Sequence, residues 1–244
     1  MLCDNFSEKT MFIWISFALT TSVYWIYVLL LGVLDLYQFP AMFWKYKVQP
    51  EKKPTTEWYY KAARNVLSNQ FLVNIPFAMA IYPLFRMRGL EIATKPPTFV
   101  EFIADLMVFS VVEEFGFYYG HRLLHYPKLY KYIHKKHHEF TAPIGIAAIY
   151  AHPVEHLLSN MIPLLAGPLI MNSHMITVWI WLVLGIMNAV NSHCGFALPG
   201  MPSPLAHDFH HQQFNNNFGV LGFLDFWHGT NKNYLKYMNE RKQE

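Results

Sequence analysis

Residues 121–138 read HRLLHYPKLYKYIHKKHH, and residues 207–211 read HDFHH. Their eight histidines form three boxes: His121-x3-His125, His134-x2-His137-His138 and His207-x2-His210-His211. Neutral imidazole offers a nitrogen lone pair near neutral pH and is the commonest metal ligand in proteins. Spacings of three and four residues place side chains on one face of a helix. The boxes therefore predict a metal site.

The two boxes of the form His-x2-His-His predict how many ions the site holds. Each of them supplies both the i+3 and the i+4 neighbour of its first histidine. A single ion on that helix face needs only one of these neighbours, so two ions are expected. Imidazole suits iron, zinc and copper alike, and the spacing therefore does not choose the metal.

Other classes of metal site are disfavoured by the residues that accompany the histidines. The only cysteines are Cys3 and Cys194, and the chain contains neither CxxC nor His-Glu-x-x-His, which excludes zinc-finger and zinc-hydrolase patterns. Paired Glu-x-x-His motifs of carboxylate-bridged bundles are also absent. Cys194 is expected to be a small buried neighbour of His193 rather than a soft ligand.

Long apolar runs place this site in a membrane protein. The chain is 53% hydrophobic and only 14% charged, and residues 11–34 carry no charge. That run is long enough to span a bilayer and lacks a cleavage site, so it is expected to be a retained anchor. Residues 66–85, 99–119 and 154–190 are further candidates, the last breaking at Asn172-Ser173-His174 into two helices. We predict an all-α polytopic membrane protein with four or five transmembrane helices.

The distribution of lysine and arginine predicts the orientation. If all five candidate helices cross, fifteen of the nineteen basic residues share one side with the three histidine boxes. The positive-inside rule then places a histidine-rich dimetal cap in the cytoplasm. A re-entrant segment at 66–85 would leave four crossings, with the boxes still together. The net charge of +3 then reflects loops beside anionic lipid rather than a nucleic-acid surface.

No repeat or long linker divides the chain into independent units. We predict membrane anchor helices and connectors in residues 1–104, the histidine-bearing domain in 105–232 and a cytosolic tail in 233–244. The last residues, Arg241-Lys242-Gln243-Glu244, are similar to a dilysine-type retrieval signal of the endoplasmic reticulum.

Several stretches resemble one family. HRLLH, HKKHH and HDFHH, followed by FNNNFGVLGFLDFWHGT at 214–230, resemble the fatty acid hydroxylase superfamily of membrane diiron oxygenases and desaturases. HEFTAPIGIAAIYAHPVEH at 138–156 and NSHCGFALP at 191–199 are similar to its sterol C4-methyl oxidase branch and to the fatty acid hydroxylase domain-containing protein 2 group. The resemblance covers roughly residues 105–232, which would make them the fatty acid hydroxylase domain.

The resemblance implies an endoplasmic reticulum enzyme whose two iron ions activate dioxygen to oxidise a C–H bond of a lipid taken from the bilayer. The expected lipid is a sterol, the expected electron source is NAD(P)H through cytochrome b5 or its reductase, and zinc is possible in recombinant protein. A fatty acyl or sphingolipid hydroxylase or a desaturase is the alternative within this class. A metal-binding regulatory pseudoenzyme is an alternative of a different class. A metal transporter is disfavoured, because the boxes lie outside the apolar runs.

The resemblance also implies the ligands, which add one histidine to the three boxes: His121, His125, His134, His137, His138, His193, His207, His210 and His211. Some hydroxylases have another histidine where this chain has Ala189, so one ion is expected to be a ligand short, with water or Asn191 in the gap.

Other residues are expected to support these ligands, because metal-bound imidazoles usually donate their second N–H to a carboxylate or carbonyl. The candidates are Glu113, Glu114, His152, Glu155, Asn191 and Asp208. A polar helix face is the alternative for Glu113 and Glu114, and a place at the start of a helix is the alternative for His152. His156, His174 and His228 are expected to be structural. The substrate path is expected to be lined by Phe115, Tyr118, Tyr119 and Trp179.

Overall fold

A computed structural model describes residues 6–90 and 95–241, and these residues form helices and connecting segments without a β-strand. We label the helices α1 (Glu8–Tyr37), α2 (56–87), α3 (Phe99–Leu124), α4 (Pro127–Tyr130), α5 (Pro153–Met171), α6 (Met175–His193), α7 (Leu205–Gln213), α8 (Phe223–His228) and α9 (Lys232–Arg241). Short 3₁₀ segments span Ala41–Tyr46, His134–Glu139 and Gly145–Ile149. The all-α prediction is confirmed. Residues 242–244 of the predicted retrieval signal lie outside the described residues.

Among the described residues, three helices are long and apolar enough to cross a membrane: α1, α5 and α6. The predicted break between the last two is confirmed, because Asn172 ends α5 in a left-handed conformation with φ 53°. His174 then caps α6, its Nδ1 accepting the N–H of Ile176. The remaining predicted spans, 66–85 and 99–119, are helical within α2 and α3. Amide side chains in α2 and carboxylates in α3 make both more polar than the other three.

The start of α3 follows from its sequence. The Lys95-Pro96-Pro97 segment cannot continue a helix, and Thr98 and Glu101 form a capping box at the first turn. Thr98 Oγ1 accepts the Glu101 N–H at 3.3 Å, and the Glu101 carboxylate accepts the Thr98 N–H at 2.7 Å. From this cap α3 runs without interruption to the first histidine box.

Helices α3 and α5 lie close together because glycines remove side chains from the contact. A Cβ atom on Gly167 would lie 2.7 Å from the Cα of Phe109, and one on Gly116 would lie 2.9 Å from the Cβ of Pro163. Only glycine permits this separation. The pairing brings the C-terminal end of α3, with its histidines, beside the first turn of α5.

A buried ion pair fixes the connector between α1 and α2. Lys47 Nζ lies 2.5 Å from Asp35 Oδ1, and Asp35 Oδ2 accepts a hydrogen bond from the Tyr59 hydroxyl at 2.7 Å. Lys47 also forms an isolated antiparallel bridge with Phe196, just after α6. Removal of either charge would leave the other buried and unpaired. The connector is therefore held against the chain that follows His193.

The segment after the second histidine box rests on the largest apolar core, which α1, α2 and α6 share with residues 145–149. The Tyr24 hydroxyl donates to the Ile146 carbonyl at 2.7 Å. Asn69 Nδ2 donates to the carbonyls of Ile149 and Ala151, both at 3.1 Å. These bonds hold the backbone around Tyr150, whose carbonyl contacts a histidine of the site.

Candidate metal centre

The structure brings the nine histidines together in two groups. The five-histidine group consists of His121, His125, His134, His138 and His210. The four-histidine group consists of His137, His193, His207 and His211. Within each group, one ring nitrogen of every member lies within 4.8 Å of the others. Either group is thus able to hold a metal ion.

The two His-x2-His-His boxes each serve both groups. In each box the first and last histidines, four residues apart, belong to one group, and the i+3 histidine belongs to the other. His134 and His137 stack with an interplanar angle of 24°, and His207 and His210 stack at 21°. Neighbouring rings of one box therefore run side by side and present their nitrogens to different groups. The extra ligand in each box, from which two ions were predicted, is the i+3 histidine that joins the other group.

The protonation pattern of the rings fits a cation in each group. The Nε2 atoms of His121 and His134 are 3.1 Å apart, and those of His193 and His207 are 2.9 Å apart. His121 Nδ1 donates to the Phe218 carbonyl, and His193 Nδ1 donates to the Ala189 carbonyl, so the Nε2 atoms of these two carry lone pairs. Two nitrogens bound at right angles to an ion at about 2.1 Å would lie about 3.0 Å apart. The spacing suits a shared metal ion.

Burial prepares the imidazoles for this role. It lowers the pKa of His137 to about 4, and the hydrogen bond from its Nδ1 to the Tyr150 carbonyl, 3.0 Å long, only partly offsets the effect. A histidine with this pKa is neutral at physiological pH, which is the form that binds metal.

A C-terminal loop, residues 214–222, supports the five-histidine group. His121 Nδ1 donates to the Phe218 carbonyl at 2.8 Å, and His210 Nδ1 donates to the Asn216 carbonyl at 2.5 Å. The Phe218 ring also packs against His121, His125 and His210. Such contacts fix the tautomer and the orientation of a ligand.

Two buried carboxylates hold that loop in place. Glu114 accepts four backbone N–H groups, those of residues 220, 221, 222 and 224, at 2.7 to 3.3 Å. Asp225 accepts the N–H groups of Phe218 and Gly219 at 2.8 and 2.7 Å. Glu114 therefore supports the histidines, as one prediction had it, but through the loop rather than by contact. Asp225 was missed, although the loop that it holds was part of the sequence stretch that carried the resemblance.

Glu155 is the predicted supporting residue that lies nearest to a histidine of the site. Its Oε1 atom is 2.9 Å from Nδ1 of His134, and both side chains are buried. Glu155 stands in the first turn of α5, where the close packing with α3 brings it to the five-histidine group. This contact favours the prediction that Glu155 supports the ligands.

Two other predicted supporting residues contact no histidine of the site. The Asp208 carboxylate accepts hydrogen bonds from the amides of Gln49 and Gln212, so its place in the third box does not direct it to a ligand. His152 takes its alternative role at the start of α5, where its Nδ1 accepts the N–H of Val154 at 3.2 Å.

Asn191 and Glu113 both lie on the wall of a cavity. Asn191 Nδ2 donates to the Pro202 carbonyl, and its buried Oδ1 has no hydrogen-bond partner. Ala189 lines the same cavity one turn before His193, where some hydroxylases have a histidine. The predicted gap in the ligands therefore lies beside the smaller group, and it stays a prediction. Cys194 is buried beside it and belongs to neither group.

The cavity has a volume of about 330 Å³ and reaches histidines of both groups. Its lining on α6 runs from Met175 to His193, a distance of about 27 Å along the helix. Phe12, Leu165 and Met175 line the far end. Because α6 is a candidate membrane helix, a cavity that follows it runs in the membrane-spanning direction and ends at the histidines.

The aromatic residues predicted for this lining are not among the lining residues of the cavity. Phe117 lines it instead of Phe115, Tyr118 or Tyr119, because it shares the cavity-facing side of α3 with Glu113 and His121, at steps of four residues. Tyr118 stacks on His228, and the Trp179 indole donates to Ser16 Oγ. An aromatic residue of α3 does line the cavity, but the prediction chose positions on other sides of that helix.

Comparison with known proteins agrees with this geometry. A family profile described as Fatty acid hydroxylase matches residues 106–230. The chain belongs to the fatty acid hydroxylase family. It is 44% identical over 209 residues to Fatty acid hydroxylase domain-containing protein 2 of Macaca fascicularis, covering 85% of this chain and 63% of that protein.

Two further relatives extend the comparison. Identity is 36% over 210 residues with Methylsterol monooxygenase 2-2 of Arabidopsis thaliana, covering 80% of this chain and 78% of that protein. Identity is 38% over 207 residues with Very-long-chain aldehyde decarbonylase GL1-10 of Oryza sativa subsp. japonica, covering 80% of this chain and 68% of that protein. No solved structure matches the chain. The predicted family and branch are confirmed, and the chain spans 63% of the length of the macaque relative.

Proposed function

We propose that this family member is a membrane diiron oxygenase that uses dioxygen to oxidise a C–H bond of a sterol, in the manner of a C4-methyl sterol oxidase. The observation that carries the proposal is the meeting of two histidine groups with one end of a membrane-directed cavity. Two iron ions held there would supply the electrons and open coordination positions that reduction of dioxygen requires.

The protein's own residues define what else the reaction needs. The apolar far end of the cavity takes the body of a lipid, and the polar end holds the carbon to be oxidised beside the histidines. The backbone carbonyls and Glu155 fix the orientation of the imidazoles that would hold the ions, and the surrounding helices limit the entry of water.

The proposal includes a cellular setting. Fifteen of the nineteen basic residues accompany the histidine boxes on one side of the predicted spans, which supports a cytosolic active site and C-terminus. We place the protein in the endoplasmic reticulum, with electrons from NAD(P)H delivered by cytochrome b5 or its reductase.

Reconstitution tests the proposal. The iron-loaded protein, placed in lipid nanodiscs with cytochrome b5, its reductase and NADH under ¹⁸O₂, should transfer label to a 4-methylsterol. His207→Ala should abolish the transfer, whereas His174→Ala, which removes a cap of α6 far from the histidine groups, should retain it. Label on a fatty acyl chain and none on the sterol would move the assignment to the fatty acyl hydroxylase alternative. No label on any lipid, with both ions bound, would reject the oxygenase.

A further inference from the structure

Three π-helical turns interrupt the described helices α1, α2 and α5, and residues of all three line the cavity. They span Met11–Ile15 in α1, Gln70–Asn74 in α2 and His156–Met161 in α5. A π turn widens a helix at the cost of regular hydrogen bonding and is frequent at functional sites. Three such turns around one cavity indicate that the wall is shaped for an occupant.

Two of these turns pack against each other through polar side chains. His156 Nε2 lies 2.7 Å from Asn74 Oδ1, and Asn160 Nδ2 lies 3.3 Å from His156 Nδ1. An amide oxygen only accepts and an amide nitrogen only donates, so His156 is protonated on Nε2 and its bonding capacity is filled. We call Asn74, His156 and Asn160 the polar cluster.

The polar cluster keeps unused hydrogen-bonding capacity towards the cavity. After the bonds to His156, Asn74 retains amide N–H donors and Asn160 retains its Oδ1 acceptor. The adjacent Ser159 also lines the cavity, and its buried hydroxyl has no hydrogen-bond partner. Polar groups left unpaired away from water are costly, so a hydrogen-bonding partner in the cavity would stabilise them.

The position of the polar cluster relates it to the histidines. His156 directly follows Glu155, which contacts His134. Asn160 lies five residues beyond Glu155, about 7.5 Å along the helix. A group held by the cluster therefore sits at the side of the cavity next to the five-histidine group.

We propose that the polar cluster binds the hydroxyl group of a lipid alcohol, so that the oxidised carbon is one that lies close to that hydroxyl. The hydroxyl donates to Asn160 Oδ1 and accepts from Asn74 Nδ2, a pairing that neither a hydrocarbon nor an ester carbonyl can complete. The proposal rests on the proposed function, since it assumes a lipid in the cavity.

Binding of matched probes to the iron-loaded protein in detergent tests it. The probes are cholestanol against cholestane and octadecan-1-ol against octadecane, which separate a sterol hydroxyl from a chain hydroxyl. Wild-type protein should prefer at least one alcohol over its hydrocarbon. Leucine is similar in shape to asparagine. Asn160→Leu should therefore lower the affinity for that alcohol by about three- to tenfold per lost hydrogen bond and leave the affinity for the hydrocarbon unchanged. Asn74→Leu, on a different helix, should do the same if Asn160→Leu fails to fold.

Two control variants share the cavity wall. Thr20→Val should change nothing, because the Thr20 hydroxyl already donates to the Ser16 carbonyl of its own helix. Loss of alcohol preference in Glu113→Gln but not in Asn160→Leu would overturn the proposal in favour of that carboxyl group. If wild-type protein oxidises a lipid yet binds alcohols and hydrocarbons equally, the proposed role of the polar cluster is wrong and the proposed oxygenase function stands. Wild-type protein that binds no probe and oxidises no lipid would overturn both.

Discussion

The five-histidine group and the four-histidine group use the same ligand type but are held by different parts of the chain. The larger group takes its backbone support from loop 214–222 and a carboxylate from Glu155. The smaller group takes its support from the Tyr150 and Ala189 carbonyls, the second within the same helix as the histidine that it orients. The larger group thus combines one more histidine with support from a loop and a carboxylate. The smaller group lies beside Ala189, and both His193 and His207 line the cavity there.

This difference predicts unequal metal loss, the largest effect that we expect. His211→Ala leaves three nitrogens in the smaller group, whereas His125→Ala leaves four in the larger group, as many as the intact smaller group has. After dialysis against a chelator, His211→Ala should hold about one ion per chain and His125→Ala close to two, because fewer ligands hold an ion more weakly. Elemental analysis measures both. Equal losses in the two variants would show that ligand number does not distinguish the groups.

A smaller effect should follow from the carboxylate that only the larger group possesses. Glu155→Leu removes the partner of His134 Nδ1 and should lower metal affinity of that group by about 10- to 100-fold, with Glu155→Gln falling between it and the wild type. Asp208→Asn is the matched control, since Asp208 contacts Gln49 and Gln212 instead of a histidine. Metal titration in competition with a chelator gives the affinities. An Asp208→Asn loss as large as that of Glu155→Leu would contradict the assignment.

The sequence predicted which histidines meet better than it predicted how they divide into two groups. The spacing of the boxes identified eight histidines, and the resemblance added His193. The division required knowledge of geometry, because His134–Glu139 forms a 3₁₀ segment whereas the third box lies on the α-helix α7, and the i+3 ring crosses over in both. The Phe218 and Asn216 carbonyls could not be predicted, since a backbone acceptor leaves no mark in the residue type.

The same limit explains the substrate path. The choice between Phe117 and its neighbours depends on the phase of α3, which the Gly116–Pro163 and Gly167–Phe109 contacts fix against α5. When an apolar helix carries aromatic residues on every side, its sequence does not show which side faces the cavity. The polar cluster was hidden for a related reason, because its three residues come from two helices and meet only through their π turns.

The smallest effect concerns His152, one of the four histidines that lie outside both groups. His152 caps α5 through a hydrogen bond from the Val154 N–H to its Nδ1, and α5 carries Glu155 to the larger group. His152→Ala should lower the free energy of unfolding by about 1 kcal/mol, the usual cost of a lost cap, and leave two ions bound. His152→Asn should restore the stability, because asparagine is a good capping residue and its side-chain oxygen replaces the ring nitrogen. Thermal unfolding and elemental analysis of the same samples separate the two roles. Loss of an ion in His152→Asn, with stability restored, would show that the imidazole serves the metal centre after all.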